Sequence, residues 1–327
     1  MTYLTTPQVK TIVHLSGTHI RIFLGNADPK DFAGDASASI AMFHEAPASF
    51  SDEALLEKGA NVDDAHQYPV RIELRGINSE GAAQVVAKGI WGKAREKAIQ
   101  ALRKELQGQP YPLLVRTAGS SSFEFNRRGV DKSLPIRYLR ARWEQVLDQM
   151  GYVPGKGINS RLSRIVIAAD GDGTIYDGPR TTHLPVLKDS PAYAPLIGYL
   201  RAGGIFMLVS GNDLTRSFKR LAKGLPEEIY SRVLLAANGG ADLACLSPAG
   251  KMVFIKDYRQ CALDIAAKDQ EKPSLDIVYI GDDAAPHGND QAAFEAVGPS
   301  KAVLVKSLLD TKVFLEKWMH ERKINFI

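Results

Sequence analysis

Asp170 and Asp172 stand one residue apart, followed by Gly173 and Thr174, directly after the apolar run Ile165–Ala169 in RIVIAADGDGTIYDGP (164–179). Carboxylates at the tip of a buried strand are costly unless a cation compensates them. The pair therefore either faces a solvated turn or holds a metal. An aspartate in such a place can attack phosphorus and carry it as an aspartyl-phosphate. A second carboxylate two residues on can protonate the departing oxygen and later take a proton from water. Gly171 and Gly173 allow the backbone to come close to a ligand. Mg²⁺ takes octahedral oxygen ligands and usually keeps waters and substrate phosphate in its shell. One carboxylate from DGDGT and one from Gly281-Asp282-Asp283 would suit it.

The elements that must position these residues are readable in the second half of the chain. Strand-like runs fall at 164–169, 204–209, 232–238, 276–281 and 301–305, with helical stretches SPAYAPLIGYLRAG, NDLTRSFKRLAKGL, YRQCALDIAAKDQ and SLLDTKVFLEKWMHERK between or after them. Strands alternating with helices predict an α/β fold, a doubly wound Rossmann-like parallel sheet. Such sheets carry their chemistry at the carboxyl ends of the strands. Three of the five strands end in polar turns, DGDGT, SGND and GDDAAPHGND, which would converge on one edge.

The first half differs. TIVHLSGTHIRIFLG reads as a hairpin, followed by a polar stretch to about residue 66. A strand at 68–76, a helix over 81–107, a strand pair YPLLVRT and SSFEFN, and a helix over 132–150 complete an α+β layer. GYVPGKGINSR (151–161) reads as the linker. The expected division is an α+β domain over 1–155 and a doubly wound core over 160–327.

Length and composition limit the alternatives. At 327 residues, with 45% hydrophobic and 24% charged residues, the chain reads as an ordinary globular protein with room for two domains. A formal charge of +4 does not make a nucleic-acid footprint, and the basic clusters NRRGVDK and RYLRAR suit solvated faces. Two cysteines without a CxxC pattern fit a reducing, cytoplasmic setting. MTYLTTPQVK lacks a signal-peptide core, and no run approaches the roughly 18 apolar residues of a membrane span. Oligomeric state is not legible.

DGDGT, the serine of FMLVSGND and the acidic YIGDDAAPHGND occur in that order across residues 164–298. In this the sequence resembles the haloacid dehalogenase-like phosphotransferase superfamily. The resemblance implies Asp170 as nucleophile, Asp172 as general acid/base and Ser210 as a hydrogen-bond donor to phosphate, with Gly211 and Asn212 at the substrate. It implies Asp282 as a Mg²⁺ ligand together with Asp170 and the backbone carbonyl of Asp172, with Asp283 in support. LLAANGGADLACLSPAGKMVF looks like the branch with large α/β caps that acts on sugar phosphates. GDDAAPHGNDQAAFEAVG is similar to a segment of eukaryotic-type phosphomannomutases, which implies that Asn289 and Asp290 line the metal and phosphate end. VSGND where mutases carry GGSD, and Asp283 in place of their lysine, favour a phosphatase over a mutase.

The resemblance also implies a lysine that neutralises the phosphoryl charge, and two candidates exist. Lys132, in SSFEFNRRGVDKSLPIRYL, has the better local likeness to the family's cap exit and third motif, but lies ahead of DGDGT. Lys256 has the expected chain order and is slightly favoured. The N-terminal region then reads as a cap-like domain in permuted order, where Arg116, Arg127 and Arg128 could meet a substrate anion. His287 is a further loop candidate, whereas Trp91 and Trp143 fall on helical patterns and read as packing residues. The expected activity is Mg²⁺-dependent hydrolysis of a small phosphate ester, with a sugar phosphate favoured. A phosphomutase, or a non-catalytic phospho-ligand module, is the alternative.

Overall fold

The computed structural model describes residues 129–152, 161–177, 185–212, 214–258, 262, 275–285 and 288–324, together with the backbone of eight strands between residues 2 and 127. The chain divides into two compact units, Met1–Gly129 and Val130–Ile327.

The first unit holds two four-stranded antiparallel sheets. One is β1 (Thr2–Thr5), β2 (Lys10–Leu15), β3 (Ile20–Gly25) and β4 (Ser39–Phe43), in that order. The other contains β5 (Arg71–Asn78), β6 (Gly81–Lys88), β7 (Leu113–Ala118) and β8 (Ser122–Arg127) in the order β5-β6-β8-β7. The expected helix over 81–107 is thus corrected at its start. Asn78 pairs with Gly81 across the two residues Ser79 and Glu80, and GAAQVVAK continues as a strand against β5. The adjacent Val85 and Val86 suit a pleated strand, and the continuous pairing with β5 decides it. Residues 89–112 lie outside the described residues.

The second unit is built on a seven-stranded sheet. Its helix α1 (Ser133–Met150) precedes β9 (Ile165–Asp170); α2 (Tyr193–Arg201), β10 (Ile205–Val209), α3 (Leu214–Ala222) and β11 (Val233–Ala237) follow. Then come β12 (Asp242–Leu246), β13 (Met252–Phe254), β14 (Asp276–Gly281), α4 (Gln291–Val297), β15 (Ala302–Leu304) and α5 (Leu308–Glu321). The strand order is β13-β12-β11-β10-β9-β14-β15, parallel from β11 to β15, with β12 and β13 antiparallel at one edge. β10 and β11 are wholly buried, as their unbroken apolar sequences require of central parallel strands. Among the described residues no helix is long and apolar enough to cross a membrane.

The chain enters this sheet at β9, winds outward to β11, and resumes on the other side of β9 with β14. The switch in winding direction therefore lies between β9 and β14, where open α/β sheets leave a crevice at their carboxyl ends. Asp170 closes β9 and Gly281 closes β14.

Helix α1, expected to belong to the N-terminal domain, packs in the second unit against α4 and β12. The division therefore falls at Gly129/Val130, ahead of the helix and not after it. Leu134, Ile136, Leu139, Trp143, Val146 and Met150 are buried, a stripe too apolar to leave in water. Trp143 is a packing residue, as its spacing suggested. The linker expected at 151–161 and the helix expected over YRQCALDIAAKDQ lie for the most part outside the described residues. The short helix α4 was not anticipated.

Candidate active site

Asp170 ends β9 almost fully buried. Its Oδ1 accepts from Lys132 Nζ at 2.5 Å, and the same ammonium donates to Asp290 Oδ1 at 2.8 Å. Lys132 is itself 2% exposed, although it lies in sequence ahead of the sheet. The turn that delivers it is tightly held. The Asp131 carboxylate accepts from the Ser133 amide at 2.8 Å and from the Ser133 hydroxyl, and the Asp131 carbonyl accepts from the Leu134 amide at 2.9 Å. Gly240 permits this turn to come close: its φ is +96°, and a Cβ there would sit 2.1 Å from the Asp131 carbonyl oxygen. The Gly240 carbonyl is in turn fixed by the Tyr258 hydroxyl at 2.7 Å.

The structure thus brings Lys132, and not Lys256, to Asp170, correcting the slight preference for chain order. Lys256 is exposed, and its backbone amide donates to Gln149 Oε1 at 2.6 Å. Chain order misleads because α1 docks on the core from the N-terminal side.

Asp290 is the other anchor. Its Oδ1 accepts from Lys132 Nζ and from the Tyr279 hydroxyl at 2.6 Å. Its Oδ2 accepts from the backbone amides of Asp282 and Asp283, each at 3.1 Å. Four donors fill the four lone-pair directions of a carboxylate. Burial works to raise the Asp290 pKa, but Lys132 and these hydrogen bonds bring it below the ordinary carboxylate value. Asp290 therefore stays ionised and shapes the turn after β14.

Asp282 follows on that turn. Ligand oxygens of Asp170, Asp282 and Asp290 all lie within 4.8 Å of one another. Gly173 makes room for this: with φ +87°, a Cβ there would stand 2.2 Å from Asp282 Oδ2. Burial pushes Asp170 up to about 8, with Lys132 opposing and Asp290 and Asp282 adding to the rise. Burial likewise raises Asp282, as does its neighbour Asp290. Fully ionised, the three clustered carboxylates served by one ammonium would fall two positive charges short of neutrality, which is why Asp170 and Asp282 hold their protons more tightly when no cation is there. An oxygen-only donor set with that deficit fits a hard divalent cation. With Asp290 saturated by donors, Asp170 and Asp282 are the side chains that could hold it directly.

Asp172 and Asp283, expected near the metal, are engaged otherwise through their side chains. Asp172 Oδ1 pairs with Arg220 Nη1 at 2.6 Å, and its Oδ2 accepts from Asn212 Nδ2 at 3.0 Å. Any share of Asp172 in a metal site is left to its backbone carbonyl. Asp283 Oδ2 accepts from the Asn289 amide at 2.9 Å and braces the loop. Asn289 is half-buried at the end of that loop, and its backbone, not its side chain, makes this contact.

Ser210, directly after β10, is buried, and its Oγ accepts from the Asn212 amide at 3.0 Å and from Asn212 Nδ2 at 3.2 Å. Its own hydroxyl hydrogen is left to donate elsewhere. Gly211 is half-buried beside it, with open space where a Cβ would stand. The side chains of Arg116, Arg127, Arg128 and His287 lie outside the described residues.

Sequence reasoning missed Arg220 and Tyr279 and undervalued Asp290. Arg220 had a signal: it adjoins Leu221 on the buried stripe Leu214, Ser217, Leu221 of α3, an odd place for a cation. Tyr279 shares the parity of Gly281 on β14, but nothing local marks its hydroxyl as a site group.

No protein-family model matches the chain, and no curated protein matches it in sequence. Among solved structures it is similar to IMP-nucleotidase of Plasmodium falciparum. An IMP-bound mutant of that protein is 11% identical over 57% of this chain and 71% of the other, with a TM-score of 0.36. An IMP-bound, N-terminally truncated form gives 11% identity over 57% and 72%, with a TM-score of 0.36. A further truncated form gives 11% over 55% and 74%, with a TM-score of 0.34.

Proposed function

We propose that the chain is a Mg²⁺-dependent phosphomonoesterase acting on a small polar ester of the sugar-phosphate class. One observation carries the reading: Lys132 bridges Asp170 and Asp290 while Asp282, from the neighbouring strand, brings a third carboxylate to the same place. A structural ion pair needs one partner for each charge. A lysine shared by two buried aspartates, with a third carboxylate beside them, is costly to fold and suits a site that receives a dianion and its counter-cation.

In this reading an Asp170 oxygen attacks phosphorus, the ester P–O bond breaks, and the departing alkoxide takes a proton from Asp172. Water then attacks the aspartyl-phosphate, gives its proton to Asp172, and the P–O bond to Asp170 breaks to return the carboxylate. Lys132 holds positive charge against the nucleophile and the transferring phosphoryl group. Burial alone would discharge it, yet Asp170 and Asp290 raise its pKa well above the ordinary lysine value. Ser210 donates its hydroxyl to a phosphoryl oxygen. Mg²⁺ held by Asp170 and Asp282 would supply further charge on the phosphoryl oxygens.

The test is a phosphate-release screen over metabolite phosphates with Mg²⁺, with Asp170→Asn as control. Release by the wild-type chain and loss in the variant, with unchanged circular dichroism, is the expected result. Unchanged turnover in Asp170→Asn refutes the mechanism, and isomerised sugar phosphate without free phosphate makes the chain a mutase.

A further inference from the structure

Arg220 is 2% exposed on the core side of α3, a position where an apolar side chain would cost less. Replacing buried ion pairs by hydrophobic residues of similar size is often neutral or stabilising. What the guanidinium holds is therefore the informative feature. Its Nε donates to the Pro185 carbonyl at 2.9 Å, its Nη2 to the Asp177 carbonyl at 3.3 Å, and its face lies 4.0 Å from the Tyr176 ring centroid. Two nitrogens and one face of the planar group are thereby fixed, and the remaining nitrogen, Nη1, meets Asp172 Oδ1 at 2.6 Å.

The other oxygen of Asp172 is set independently. Asn212 Nδ2 reaches it from the loop after β10, and the same amide contacts Ser210 Oγ. One carboxylate is thus gripped from α3 and from the β10 loop at once. The Asp172 side chain is nevertheless about a third exposed, so solvent alone would leave it free to rotate.

We propose that Arg220 is a positioning residue that, with Asn212, fixes the Asp172 carboxylate in the orientation needed for proton transfer. This rests on the phosphomonoesterase reading above, because it assigns Arg220 a role through Asp172. A proton donor or acceptor must come within hydrogen-bond reach of the reacting oxygen. Misplacement by about 1 Å can cost on the order of 10²-fold in rate.

The test uses the full chain with Mg²⁺ and the ester that the release screen turns over fastest. Arg220→Met is expected to lower kcat by about 10²-fold while leaving KM within about twofold, since a positioning group acts on the transition state more than on binding. Arg220→Lys, which keeps one donor for Asp172, should recover part of the loss. In an Asp172→Asn background Arg220→Met should cost no more than about twofold, because coupled residues do not contribute independently. An unchanged kcat, a loss without recovery by lysine, or an equal loss in the Asp172→Asn background overturns the assignment. Should Arg220→Met fail to fold, Arg220→Lys and Asn212→Ala decide by the same kcat-against-KM criterion. A wild-type chain that releases phosphate from no ester overturns the phosphomonoesterase reading itself, which separates the two failures.

Discussion

Asp290→Asn is the perturbation that weighs most on the second unit. The substitution keeps the shape and removes the charge, but one oxygen becomes an NH₂ group. Whichever way the amide turns, that group faces two donors: Lys132 Nζ and the Tyr279 hydroxyl, or the amides of Asp282 and Asp283. Two hydrogen bonds to a charged acceptor are lost, at about 1.5–3 kcal/mol each. Relief of repulsion with Asp170 and Asp282 offsets part of this, on the order of 1 kcal/mol. The net destabilisation is about 2–5 kcal/mol. For a unit of this size, about 2–4 °C of melting temperature per kcal/mol converts it to roughly 10 °C. Near-ultraviolet circular dichroism during a thermal scan measures it, with Mg²⁺ absent so that metal loss does not contribute. A shift below about 2 °C would mean that the four bonds do not cooperate, and the view of Asp290 as the site's organiser fails.

Two further outcomes follow from other parts of the structure. Gly173→Ala places a methyl group against the Asp282 carboxylate at a positive φ, so Mg²⁺-induced thermal stabilisation should fall strongly while the metal-free chain still folds; unchanged stabilisation by Mg²⁺ excludes Asp282 as a ligand. Burial pushes the Cys245 thiol up to about 11, so in a Cys261→Ser chain iodoacetamide should leave the native protein unmodified at neutral pH and alkylate it fully once unfolded, as read by intact mass.

The parts of the fold that could be read from sequence are those dictated by local pattern. The parallel strands β9, β10, β11, β14 and β15 lie within a residue or two of the apolar runs at 164–169, 204–209, 232–238, 276–281 and 301–305. Burial of the first four on both faces forces a nearly unbroken apolar sequence that needs no knowledge of neighbours, while β15, at the sheet edge, is only partly buried. Asp170 and Asp282 were legible for the same reason, as acids placed where such runs stop. Chain order proved a poor guide to space. Lys132 reaches Asp170 because a helix lying N-terminal to the sheet docks upon it, and its apolar stripe shows that it must dock without showing where. The segment 81–88 carries alanines and valines that suit either helix or strand, and pairing with β5 decides it. The roles of Arg220 and Asp290 depend on partners 48 and 158 residues away, beyond the reach of spacing arguments.

The early position of α1 bears on how the chain can be divided for study. A fragment begun at the Gly/Pro-rich stretch near residue 155 would look like a tidy core, yet it would leave out the ammonium that Asp170 and Asp290 share and uncover the surfaces of α4 and β12. Such a fragment would be silent in an enzyme assay for a trivial reason. Cutting at Val130 instead retains that ammonium and every side-chain contact described for the acidic cluster, so it is the place to ask whether the N-terminal unit chooses substrates or merely rides along.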